Sequence, residues 1–96
     1  MNKYEIMFIV KTTMDEAQVK ASSENMKKII STEKGKVVDF KEMGQRHLAY
    51  PIKKEINGYY YVMTVELSKE GVKEFDRRAS LDETILRHLI IKLDEE

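Results

Sequence analysis

The order in which hydrophobic periodicity changes along the chain most constrains its fold. Tyr4-Glu5-Ile6-Met7-Phe8-Ile9-Val10 is short, apolar and rich in β formers, so it reads as a strand. Thr13-Met14-Asp15-Glu16 has capping-box spacing, with acids suited to a helix N-terminus. Val19, Ser22 or Ser23, Met26, Ile29 and Ile30 then recur at helical intervals, and Gly35 reads as a left-handed helix stop. Val37 opens a second strand that continues past Gly44, where a bulge or bend is expected, to Ile52. Asn57-Gly58 reads as a type I′ hairpin turn into a third strand from Tyr59 to Leu67. Ser68 suits the N-cap of a second helix, with Val72, Phe75 and Ala79 on one face and Gly71 weakening its first turn. Asp82-Glu83 breaks the pattern, and Ile85 to Leu93 reads as a fourth strand.

The resulting order, β-α-β-β-α-β, is the split βαβ plan. It predicts an α+β, ferredoxin-like domain: a four-stranded antiparallel sheet with two helices on one face. Right-handed crossovers put strands one and three in the centre and strands two and four at the edges. With no linker or repeat, residues 1–96 are expected to form a single domain. Lys plus Arg equal Asp plus Glu at 17 each, which argues against a protein that coats nucleic acid non-specifically. The absence of Cys excludes disulfides and thiolate chemistry. No apolar run approaches the ~20 residues that span a bilayer, and the N-terminus lacks a basic-then-apolar signal pattern, so a cytoplasmic protein is expected.

Two helices cover one side of such a sheet, and alternation should make the other side polar. It does not. If Ile6 and Phe8 face the helices, Met7 and Ile9 face outward; if Tyr61, Met63 and Val65 face inward, Tyr60 and Val62 face outward. In the fourth strand, an inward His88 and Ile90 leave Arg87, Leu89 and Ile91 outside, and the opposite phase exposes Leu86, His88, Ile90 and Lys92, so either choice leaves apolar residues outside. An apolar patch of this kind marks an interface, for a protein partner or for stacked bases, and Tyr60 and Leu89 are candidate partner contacts.

The chain offers no visible catalytic apparatus. Its two histidines, His47 and His88, lack a Cys or carboxylate pattern for a metal, no nucleophile-base arrangement is suggested, and four scattered glycines form no phosphate loop. A non-enzyme with no cofactor, no metal and no small-molecule substrate is expected. His88 is expected to be packed or hydrogen-bonded, and His47 exposed. Asn57-Gly58-Tyr59-Tyr60-Tyr61-Val62-Met63-Thr64 partly matches the third-strand pattern of RNA recognition motifs; Asn57, Tyr60 and Thr64 depart from it.

Arg46-His47-Leu48-Ala49-Tyr50-Pro51-Ile52, followed by Lys53-Lys54, is the stretch richest in functional signal. Pro51 removes a ladder donor, so the run belongs on an edge or a protruding hairpin. Residues 36 to 54 carry Lys36, Lys41, Arg46, Lys53 and Lys54 against Asp39 and Glu42, a local basic excess. Arg suits bidentate phosphate contacts, and Tyr50 can stack on a base or donate to a phosphate. Charges and proline also protect an edge from aggregation, and the pattern alone leaves both readings open.

At these residues the chain resembles the bacterial small-subunit ribosomal protein S6 family. The resemblance is carried by Tyr4-Glu5, Gly35, Gly44-x-Arg46-x-Leu48-Ala49-Tyr50-Pro51-Ile52, Gly58-Tyr59 and Arg87, and spans essentially all 96 residues. It implies the same ferredoxin-like fold. It also implies a structural protein that binds the central domain of small-subunit ribosomal RNA as a heterodimer with ribosomal protein S18 and supports platform assembly. Arg46, Tyr50 and Arg87 match family positions at the RNA and partner surface; Tyr4 and Leu48 match positions expected to serve the partner. Charge and position add Lys3, Lys53 and Lys54 to the expected RNA contacts.

Overall fold

A computed structural model of the chain describes residues 2–12, 16–52 and 55–93. The elements follow in the expected order: β1 (Asn2–Lys11), α1 (Glu16–Thr32), β2 (Lys36–Ile52), β3 (Glu55–Leu67), α2 (Lys69–Leu81) and β4 (Ile85–Lys92). The strands form one antiparallel sheet in the order β2-β3-β1-β4. Strands β1 and β3 are central, as the crossover rule requires.

The register sorts the apolar residues onto two faces. Tyr4, Ile6 and Phe8 lie opposite Val65, Met63 and Tyr61, and all six are buried in the core cluster beneath the helices. Met7 and Ile9 lie opposite Val62 and Tyr60 and take the other face. The inward set meets Val19, Met26, Ile29 and Ile30 of α1 and Phe75 and Ala79 of α2. Tyr61 stacks between Phe8, with centroids 5.2 Å apart, and Phe40, at 5.7 Å. Its phenol pKa is pushed up, chiefly by burial and next by the Glu42 carboxylate, with a Ser23 hydrogen bond opposing. His88 packs edge-on against Phe75 and its Nε2 lies 2.7 Å from Asp76 Oδ1, so it is packed and hydrogen-bonded as expected.

Several local expectations change. The capping box at 13–16 and the acidic end at 94–96 lie outside the described residues, apart from the backbone of Glu16. Gly35 is not the left-handed residue after α1; Lys34 is, with φ 63°. The Lys34 N–H donates to Ser31 and the Gly35 N–H to Ile30, the paired bonds of a Schellman ending. Gly35 is needed for space instead, since a Cβ there would lie 2.5 Å from Leu67 Cδ1 and 2.6 Å from the Glu66 carbonyl oxygen. Asn57-Gly58 is not the hairpin turn. Both residues lie within β3, Ile52 pairs with Glu55, and only residues 53–54 stand between the strands. Gly44 does form the expected bulge, with φ 88° at a register shift.

Ser68 caps α2, its Oγ accepting from the Gly71 N–H at 3.0 Å. Replacing Ser68 with Ala should therefore cost about 1 kcal/mol. Chemical denaturation checks this; an unchanged midpoint would show that the cap contributes nothing.

Candidate functional site

The sheet face away from the helices carries Met7 and Ile9 from β1, Tyr60 and Val62 from β3, and Arg87, Leu89 and Ile91 from β4. Of the two phases that alternation allows, the structure takes the one with His88 and Ile90 inward. Leu89 and Ile91 are each 46 % exposed, so the patch is open to solvent.

The distal part of β2 does not continue as a flat edge strand. His47 pairs with Asn57 and Ile52 with Glu55, so the four residues 48–51 stand opposite one, Ile56. The surplus chain leaves the ladder and arches over the open face. Pro51 fits there because no ladder donor is required of it. Leu48 turns down into a small second cluster with Ile9 and Leu86, packed by Tyr60, and is only 4 % exposed. Tyr50 and Arg87 meet across the face, the Tyr50 hydroxyl accepting from Arg87 Nη1 at 2.7 Å. That contact bridges β2 to β4 across two intervening strands, a span of about 14 Å at ordinary strand spacing.

Two local irregularities make the arch possible. The register of β4 against β1 shifts between Ile9 and Val10: Arg87 pairs with Ile9 and Ile85 with Val10, leaving Leu86 as an extra residue. Such a bulge re-aims side chains. Ile85 belongs to the core beneath the helices, whereas Leu86 joins the cluster on the open face beside Arg87. Gly58 is the second. A Cβ on it would collide with Ile9 Cγ2, and would sit 3.6 Å from Leu48 Cδ2 and 3.7 Å from Leu86 Cδ1. The residue expected to make a turn instead provides the floor on which the second cluster packs.

Tyr60 and Met7 divide the face into two shallow clefts. One, of about 210 Å³, lies among Ile9, Leu48, Ala49, Tyr50, Arg87 and Leu89. The other, of about 320 Å³, lies among Met43, Arg46, His47 and Val62. Each has an apolar floor and an arginine in its lining. Arg46 lies opposite Gly58, and its Nε donates to the Met43 carbonyl at 3.4 Å, within its own strand.

The predicted site residues therefore divide. Arg46, Tyr50, Tyr60, Arg87 and Leu89 share the open face or its rim. Tyr4 does not: it is 6 % exposed in the core beneath the helices, so its ring is withdrawn from any partner on the open face. Leu48 is also buried, by its own chain. Lys3 lies opposite Glu66, six residues from Ile9 along β1 and so about 20 Å from the arginine end of the face. Lys53 and Lys54 lie outside the described residues. Met43 and Leu86 join the face through bulges, which alternation counting cannot register; Gly44 signals the first, but nothing in the sequence signals the second.

The partial match to the RNA recognition pattern also resolves. Tyr59 and Tyr61, the aromatics at its stacking positions, turn toward the helices, and only Tyr60 is left on the open face. Base stacking of that type lacks its aromatic pair here.

The family model for ribosomal protein S6 matches residues 3–92. The chain belongs to the ribosomal protein S6 family. Among solved structures, the 30S ribosomal protein S6 of Thermotoga maritima is 30% identical and superposes with a TM-score of 0.91, over 96% of this chain and 87% of that one. An uncharacterised protein from Thermotoga maritima, 10% identical with a TM-score of 0.62, covers 97% of this chain and 98% of its own length and shares the fold alone. Membership makes the chain a small-subunit ribosomal protein, with translation as its setting. For an S6 family member the open sheet face is the natural place to look for contacts, because the opposite face is occupied by α1 and α2. No helix among the described residues is long and apolar enough to cross a membrane.

If the second cluster packs as described, Gly58→Ala should destabilise the fold by about 1–3 kcal/mol through overpacking against Ile9. Urea denaturation of the variant measures it. A midpoint equal to that of the parent would contradict the close approach.

Proposed function

We propose that this chain binds the central domain of small-subunit ribosomal RNA as a heterodimer with ribosomal protein S18, in the cytoplasm, and that the pair orders RNA in the platform during assembly. The observation that carries this reading is the open face: an apolar surface of half-buried Met7 and Val62 and exposed Leu89 and Ile91, rimmed by Arg46, Tyr50 and Arg87, on a protein of zero net charge. An apolar patch of this kind suits a protein partner. The rim suits phosphate, which Arg binds through its planar fork.

The zero net charge explains why a pair is needed. Long-range attraction to a polyanion is weak for a neutral protein, so the isolated chain should bind RNA poorly. A basic partner seated on the apolar face supplies further phosphate contacts, and joining the two raises the effective concentration of each on the RNA. Tyr60 and Leu89 serve the partner in this reading, while Arg46, Tyr50 and Arg87 face the RNA. Lys3, Lys53 and Lys54 are further RNA contacts proposed from charge and position. The chain acts as a structural binder, with no catalytic step and no cofactor.

Filter binding of a central-domain RNA fragment, across a salt series, tests the proposal. The isolated chain should bind weakly, and the mixture with S18 tightly and with a steep salt dependence. Arg46→Ala or Arg87→Ala should weaken binding by the pair about tenfold and reduce the salt slope by about one. Tight, salt-insensitive binding by the isolated chain would contradict the mechanism. Unchanged affinity and unchanged pairing in both variants would remove these arginines from the site.

A further inference from the structure

Tyr50 and Arg87 come from opposite edges of the sheet, 37 residues apart in sequence, yet they share a 2.7 Å hydrogen bond. Both side chains are solvent-exposed, and Tyr50 is 58 % so. An exposed hydrogen bond between two long side chains gains little over bonds to water, so it cannot by itself hold an arched segment across the sheet. Something else must fix the arch.

Two residues before Tyr50, Leu48 is seated in a socket made by Ile9 and Leu86. Leu86 in turn directly precedes Arg87, and the bulge in β4 brings the two onto the same face. The apolar contact and the hydrogen bond therefore join the same two segments, one residue or two apart. Gly58 beneath the socket lets Ile9 rise far enough to complete it.

We infer that Leu48 is a positioning residue: seated between Ile9 and Leu86, it holds the arched segment on the sheet and so presents Tyr50 and Arg87 as one preformed unit to RNA. The assignment rests on the proposed RNA role of that pair. It differs from the expectation that Leu48 contacts the partner protein, because the side chain is already covered by its own chain. Preformation matters because flexible side chains must otherwise be ordered when the RNA binds, which lowers affinity. The bulge has a purpose in the same account, since a regular β4 would turn Leu86 toward the helices and leave Leu48 without a seat.

Two measurements on the full chain test the inference. The first, made without RNA, follows Tyr50–Arg87 contacts by NMR, with hydrogen exchange at Ile6 and Phe8 reporting whether the helix-side core remains folded. Leu48→Ala should keep that core protected and lose the Tyr50–Arg87 contacts, and Leu48→Met should retain both. If Leu48→Ala does not fold, the smaller truncation Leu48→Val is read the same way. The second measures binding of a central-domain RNA fragment by the chain paired with S18. Leu48→Ala should lose affinity by about tenfold, comparable to one charge-assisted contact. Leu48→Ala combined with Arg87→Ala should then lose no more than Arg87→Ala alone, since both act through one unit. Persistence of the Tyr50–Arg87 contacts in a folded Leu48→Ala or Leu48→Val chain would overturn the inference, as would additive losses in the double variant. If Arg87→Ala alone leaves RNA affinity unchanged, the RNA role of the pair fails, and the NMR measurement still decides whether Leu48 positions it.

Discussion

Two helices can shield only one face of a four-stranded sheet, yet β1 and β3 are apolar on both. Phe8 and Tyr61 share a register position beneath the helices; one residue along, Ile9 and Tyr60 share one on the other side. Fully burying a large apolar side chain stabilises by about 1.5–3 kcal/mol, so the uncovered face exerts a constant pull toward any apolar cover. The chain answers it in part with its own substance. Four residues of β2 leave the ladder, and Leu48 covers Ile9 and Leu86 at the distal end. The β4 side of the face, with Leu89 and Ile91, stays open.

This partial closure links packing to recognition. The same segment that buries Leu48 carries Tyr50 to its hydrogen bond with Arg87, the pair that faces RNA in the proposed role. The remaining apolar surface lies beside them, which lets one face serve a protein and a nucleic acid at once in the proposed role. One charged cluster lies away from this face, on α2. Arg77 and Arg78 both bind Glu74 on α2, and hydrogen bonds from the two hold its carboxyl down at about 2.

Much of the fold is legible in the sequence because periodicity is a strong signal. The alternation through Tyr4–Val10 and Tyr59–Leu67 sorts the side chains into two sets without saying which set meets the helices, and Ser68 marks its cap. The glycines are less transparent. Gly35 and Gly58 look like a helix stop and a hairpin turn, but both are required because another side chain or backbone atom occupies the space of a Cβ. Such crowding comes from residues distant in sequence, so local turn preferences cannot reveal it. Tyr4 misleads for a related reason: its match to a family position does not say which face of β1 it takes. The segment that brings Tyr50 to Arg87 and the bulge that turns Leu86 onto their face both depart from strict alternation, which therefore cannot represent them.

In the proposed role, the open face, organised by the Leu48 seat, is the surface through which this S6 family member joins the ribosome. Hydrogen–deuterium exchange of the chain alone, with S18, and with S18 plus central-domain RNA tests it most directly. The account predicts new protection in Met7–Ile9, Tyr60–Val62 and Arg87–Ile91 when S18 is added. It predicts further protection through Arg46–Tyr50 when RNA follows, with α1 and α2 unchanged. Protection confined to α1 and α2, with the open face exchanging as in the free chain, would contradict it.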